Sequence, residues 1–129
     1  MSQTPDLNQL VATLAPRLLQ HHSAVPRAEW GIPDLEHLVT GTDDLRVPAA
    51  CCYPQQGLIV VHQAIPSMKP PKYVLNYLVG HELLHFEEAS RGNGCAHDQR
   101  FRFLEKARIP HTRRAKEWLS RHNFPVVPS

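Results

Sequence analysis

Apolar positions along the chain follow two rhythms. Leu7, Leu10, Val11, Leu14 and Leu18 recur at helical spacing and predict an amphipathic helix over about residues 5–20. Thr4-Pro5-Asp6 reads as its start, with Thr4 as the cap, Pro5 at the first helical position and Asp6 near the positive end of the dipole. Pro16 is expected to kink this helix or end it early. Residues 46–53 and 58–65 are short β-rich runs separated by Pro54-Gln55-Gln56-Gly57, which predicts a hairpin. Helical rhythm returns with Val74, Leu75, Leu78, Val79, Leu83 and Phe86, and Arg91-Gly92-Asn93-Gly94 supplies the left-handed positions that end a helix. Further helices are predicted over 97–107 and 111–122, divided at Ile109-Pro110. Residues 25–44 hold Pro26, Gly31, Pro33 and Gly41 and read as loop-rich, with a short helix over 34–39; the proline-rich tail from Phe124 reads as irregular.

Composition narrows the class. A chain of 129 residues, 42% apolar and 20% charged with a formal charge of +2, is expected to fold as one domain over 1–129, with its core over about 46–122. No run approaches the roughly 18 apolar residues of a membrane span, so no membrane role is expected. Asn8, Gln9, Thr13, Pro16 and Arg17 break up the leucines of the first twenty residues, against a secretory signal. The three cysteines are an odd number, and Cys51 and Cys52 are adjacent, which disulfide geometry does not readily accommodate. The expected setting is therefore reducing and cytoplasmic.

Nine histidines direct attention to metal chemistry. His81-Glu82-Leu83-Leu84-His85 is an HExxH pattern inside a predicted helix, where positions i and i+4 stand one above the other and aim two imidazoles at one ion. Such a zinc site lowers the pKa of bound water to about 7, and Glu82 is placed to take the proton as the carbonyl is attacked. A third ligand must come from another segment. His97, twelve residues after His85 and beyond the Gly92-Asn93-Gly94 turn, is the best candidate, with Glu105, Asp98 and His111 as alternatives. Glu88 and Arg91 stand where a metzincin requires Gly and His, which excludes that family.

From Leu58 to Trp118 the chain resembles the SprT-like and YgjP-like zinc metallopeptidases. The residues that carry the resemblance are the strand Leu58-Ile59-Val60-Val61-His62, the helix from Tyr73 into His81-Glu82-Leu83-Leu84-His85, and the H-x-x-x-F of His97-Asp98-Gln99-Arg100-Phe101. The resemblance implies one Zn2+ held by His81, His85 and His97, with Glu82 as general base and a peptide or protein as substrate. It also implies an α+β fold, a compact minimal zincin whose small, mainly antiparallel sheet packs against the HExxH active-site helix.

His62 at a strand end could bond substrate or oxyanion, and Tyr73 and Tyr77 share a helix face one turn before His81, but surface and core roles respectively are favoured. Cys95, two residues before His97, reads as a bystander; as a fourth ligand it would favour a structural zinc domain that binds a partner without catalysis. Cys51 and Cys52 ahead of an HExxH resemble the metal site of peptide deformylases, whose other motifs are missing. Residues 91–129 hold 9 basic and 3 acidic groups against 5 and 9 in residues 1–90. Arg100, Arg102, Lys106, Arg108, Arg113, Arg114, Lys116 and Arg121 thus form the basis of an alternative function, a nucleic-acid-associated zinc domain making weak phosphate contacts.

Overall fold

The protein is described by a computed structural model over residues 4–19, 24–33, 48–92 and 99–124. Among these the elements run α1 (Leu7–Leu18), β1 (Arg27–Gly31), β2 (Ala50–Tyr53), β3 (Leu58–His62), α2 (Lys72–Ser90), α3 (Gln99–Arg108) and α4 (Thr112–Arg121). The architecture is α+β. No helix among the described residues is long and apolar enough to cross a membrane.

The run Leu58-Ile59-Val60-Val61 is buried throughout, as a strand covered on both faces and paired on both edges must be. It is the middle strand of a three-stranded sheet in the order β1-β3-β2. β2 pairs antiparallel with β3, Cys52 opposite Ile59, across a single 3-10 turn at Pro54–Gln56. Gly57 closes this hairpin at φ 61, where a residue with a Cβ is strained although the space around it is open. β1 pairs parallel with β3, Arg27 opposite Leu58 through Gly31 opposite His62. The sheet is therefore mixed, which corrects the expectation of a mainly antiparallel one. β1 falls in the segment read as loop: it has no β-branched residue and is bounded by Pro26 and Pro33. Its outer edge is held by a side chain instead, since Asn8 accepts from Ala28 N at 2.9 Å and donates to Ala28 O at 2.9 Å. Trp30 Nε1 donates to Pro5 O at 3.1 Å, fixing the same strand to the approach of α1.

α1 buries Leu7, Val11, Ala15 and Leu18. Its cap is Asp6 rather than Thr4: Asp6 Oδ1 accepts from Asn8 N at 3.0 Å and Gln9 N at 3.3 Å, leaving Pro5 outside the helix. Pro16 stands in the last turn, where it removes the N–H that would bond the carbonyl four residues back, and the helix ends two residues later. The predicted second strand ends at His62, and its remainder becomes a turn and a 3-10 segment, Ile65–Met68. The short helix expected over 34–39, the beginning of the predicted strand at 46–47 and the tail 125–129 lie outside the described residues.

α2 is the central element, in contact with α1, α3, α4, β2 and β3. Val74, Val79, Leu83 and Leu84 are fully buried on it, beside Ile59, Val61 and Ile65 from the sheet side. A helix covered on most of its circumference keeps polar groups only where they have partners. Gly80 permits a close approach: a Cβ there would stand 3.0 Å from Ile109 Cδ1 and 3.3 Å from Leu18 Cδ1. Gly92, at φ 80, follows the end of α2, as the glycine signal predicts.

Candidate metal centre

Tyr77, His81 and His85 succeed one another at intervals of four along α2, so their rings line one stripe of the helix. All three are buried, as is Glu82. The Nε2 atoms of His81 and His85 lie 3.1 Å apart, and the two rings meet edge-on with centroids 4.7 Å apart. Glu82 Oε1 stands 3.9 Å from His81 Nε2. One donor atom from each of His81, Glu82 and His85 falls within 4.8 Å of the others.

This donor set fits zinc. Two nitrogens each about 2.0–2.1 Å from a tetrahedral zinc lie about 3.3 Å apart, close to the 3.1 Å seen between the two Nε2 atoms. His97, Asp98 and Cys95 lie outside the described residues. Phe101, the last residue of the H-x-x-x-F sequence, is buried and stacks on the His85 ring at 4.3 Å and 18°. It also meets the His81 ring edge-on at 5.1 Å. The first turns of α3 thus press an aromatic face against both histidines.

Glu105, weighed as a ligand, takes another position. Its Oε2 accepts from His81 Nδ1 at 2.5 Å, on the side of the ring away from Nε2, and its Oε1 accepts from Lys116 Nζ on α4 at 3.1 Å. His111, another alternative, stands exposed at the start of α4 with its ring 6.1 Å from that of Tyr73, over which the Arg114 guanidinium also lies at 4.8 Å. Sequence reasoning missed the parts of Lys116 and Phe101 in this cluster. A signal was available: Phe101 and Glu105 are four apart, so a helix that turns Phe101 to the histidines turns Glu105 to them as well.

The electrostatics separate the two carboxylates. Burial raises Glu82 to about 7, with His81 pulling it down and the Glu105 charge pushing it further up. Burial also acts to raise Glu105, but the hydrogen bond and charge of His81 and the nearby Lys116 outweigh it, so its pKa lies below the usual value. Tyr77 is held as a neutral phenol far above the usual range, by burial and then by the charges of Glu105 and Glu82. His62 is half-buried at the end of β3, where its Nδ1 accepts from Ala64 N at 3.1 Å and its ring meets Phe124 at 5.5 Å. Burial lowers its pKa.

The basic residues of the C-terminal part are partly tied down: Arg100 pairs with Glu88 at 3.4 Å, Arg113 with Glu117 at 3.5 Å, and Lys116 with Glu105. Cys51 and Cys52 are buried in β2. No family model, curated protein or solved structure matches this chain.

Proposed function

We propose that this protein is a zinc-dependent metallopeptidase of the SprT-like or YgjP-like kind, a minimal zincin built around α2. The observation that carries the reading is the buried cluster of His81, Glu82 and His85, with its two Nε2 atoms 3.1 Å apart and a carboxylate beside them. In this reading His81 and His85 hold the ion together with His97, four residues before the Phe101 that stacks on His85. A bound zinc ion supplies Lewis acidity toward a water molecule and a peptide carbonyl.

The chain's own groups do the rest. Glu82 takes the proton of the attacking water as the new C–O bond forms and delivers it to the amine as the C–N bond breaks. A carboxyl that burial has brought to about 7 is matched to both halves of that transfer near neutral pH. Leu83 and Leu84, fully buried beside it, anchor this turn of α2 in the core and keep the catalytic carboxylate on a rigid element.

The test is metal content and hydrolysis on the same preparations. Wild type purified without added zinc is expected to carry about one ion per chain, and folded His85→Ala and His97→Ala to carry little. Wild type should cleave an unfolded protein substrate such as casein, and Glu82→Gln should keep the metal and lose cleavage. A folded wild type that takes up no zinc, or a Glu82→Gln protein as active as wild type, overturns the assignment.

A further inference from the structure

Glu105 is a carboxylate with 3% of its surface exposed, which is costly to bury unless both oxygens are used. Both are: Oε2 takes the His81 Nδ1 proton and Oε1 the Lys116 ammonium. The bond to His81 spans 24 residues of sequence and joins α3 to α2, while Lys116 brings in α4. An acceptor on Nδ1 selects the tautomer in which Nδ1 carries the proton and Nε2 carries the lone pair. The lone pair then lies on the side of the His85 Nε2. Tyr77 at 5.4 Å and Phe101 at 5.1 Å flank the same ring, and Lys116 Nζ lies 6.0 Å above the Tyr77 ring.

We propose that Glu105 is a positioning residue for His81, that Lys116 holds Glu105 in place, and that metal affinity is therefore set in part from α3 and α4. The inference rests on the zinc reading above and deepens it. An ion pair that only stapled α3 to α4 would have no need of the imidazole. Here the carboxylate spends one oxygen on the ring of a metal-binding histidine, at the atom that decides which nitrogen can donate to an ion.

Zinc affinity by competition with a chromophoric chelator, and the cobalt(II) absorption spectrum, should be measured on wild type, Glu105→Gln, Lys116→Met and His97→Ala, with circular dichroism as the check of folding. Glu105→Gln is expected to bind zinc about 10 to 100-fold more weakly and to shift the cobalt spectrum while remaining folded. Lys116→Met should move both readouts in the same direction by less. In zinc-loaded wild type, nitrogen-15 NMR should find the His81 proton on Nδ1, a result that needs no variant.

Zinc affinity within twofold of wild type in folded Glu105→Gln, or a His81 proton on Nε2, overturns the proposal while leaving the zinc site in place. Near-total loss of metal in Glu105→Gln with His97→Ala unaffected would make Glu105 a ligand and overturn it too. A wild type that binds neither zinc nor cobalt overturns the zinc reading itself, and the positioning role with it.

Discussion

The two flanks of His81 are built from the same chemistry and reach opposite states. On the Nε2 side stands Glu82, from the same helix, with His85 beside it; burial dominates there and brings the carboxyl to about 7. On the Nδ1 side stands Glu105, from α3, also buried but bonded to His81 and to Lys116, and its pKa is lowered. Desolvation pushes both upward, and at Glu105 the His81 and Lys116 partners outweigh it. A carboxylate with both oxygens engaged becomes a fixed charge, and one beside an open ligand cluster keeps a proton within reach of neutral pH. One imidazole separates a carboxylate held as a fixed charge from one brought close to neutral pH.

The largest effect should come from neutralising the two flanks in turn. With Glu82→Gln, kcat is expected to fall by about 10²–10⁴-fold with zinc affinity nearly unchanged. With Glu105→Gln assayed at saturating zinc, most of the kcat should return, because the defect lies in holding the ion. The split between kcat and metal affinity on the same substrate checks this. Equal kcat losses in two zinc-saturated variants would dissolve the distinction between the flanks.

Stability against pH sharpens the contrast in the metal-free protein. Glu82 has a folded pKa raised from 4.5 to about 7, so between these values the folded state holds a proton that the unfolded state releases. Stability falls as pH rises through that window, by roughly 3 kcal/mol for this group alone. Glu105 has the reverse sign: its contribution is present above the ordinary carboxylate pKa and is lost as pH falls through its lowered folded value. Urea unfolding at pH 5 and pH 8 should show metal-free wild type losing more stability than Glu82→Gln over that range. Glu105→Gln should differ most from wild type at pH 8, and less as pH falls below about 4.5.

A smaller effect tests whether the flanks are set by the distance between α2 and its neighbours. Gly80 directly precedes His81 and packs against Ile109, just past α3, and Leu18 of α1. Gly80→Val adds a branched side chain where even a Cβ would stand 3.0 Å from Ile109. The expected cost is about 1–3 kcal/mol, together with weaker zinc binding, because His81 is pushed relative to Glu105. Denaturant midpoints and chelator competition measure the two effects separately; a destabilised variant with wild-type zinc affinity would show that the His81–Glu105 contact tolerates the shift.

Much of this was legible in local pattern. HExxH in a helical run predicts that His81, Glu82 and His85 converge, and they do, because i and i+4 are neighbours on any helix. The Gly57 turn and the Gly92 helix end were readable because each needs a left-handed residue. What was not legible depends on pairing between distant segments. β1 is a strand because β3 offers an edge and Asn8 covers the other side, neither of which Arg27-Ala28-Glu29-Trp30-Gly31 announces. Asp6 takes the cap from Thr4 because helix entry is set by where α1 meets β1. The Glu105–Lys116 pair needs α3 and α4 packed on α2, and two charged residues eleven apart look like ordinary surface until that packing is known.

The smallest expected effect lies one residue away from one of the largest contrasts. Lys116 and Glu117 are adjacent on α4, and each is in an ion pair: Lys116 with the buried Glu105, and Glu117 with Arg113 at 3.5 Å. The side chains of Arg113 and Glu117 are 92% and 55% exposed, against 12% and 3% for Lys116 and Glu105. Water and salt screen the first pair, so Arg113→Ala should change stability by less than about 0.5 kcal/mol, and less still in 0.5 M salt. Removing the Lys116 charge instead leaves a buried carboxylate with one oxygen unpaired beside His81, a penalty that salt does not relieve. Thermal melts of Arg113→Ala and Lys116→Met at low and high salt measure the difference directly. Equal, salt-sensitive losses would mean that α4 carries an ordinary charged face and that the support of His81 stops at Glu105.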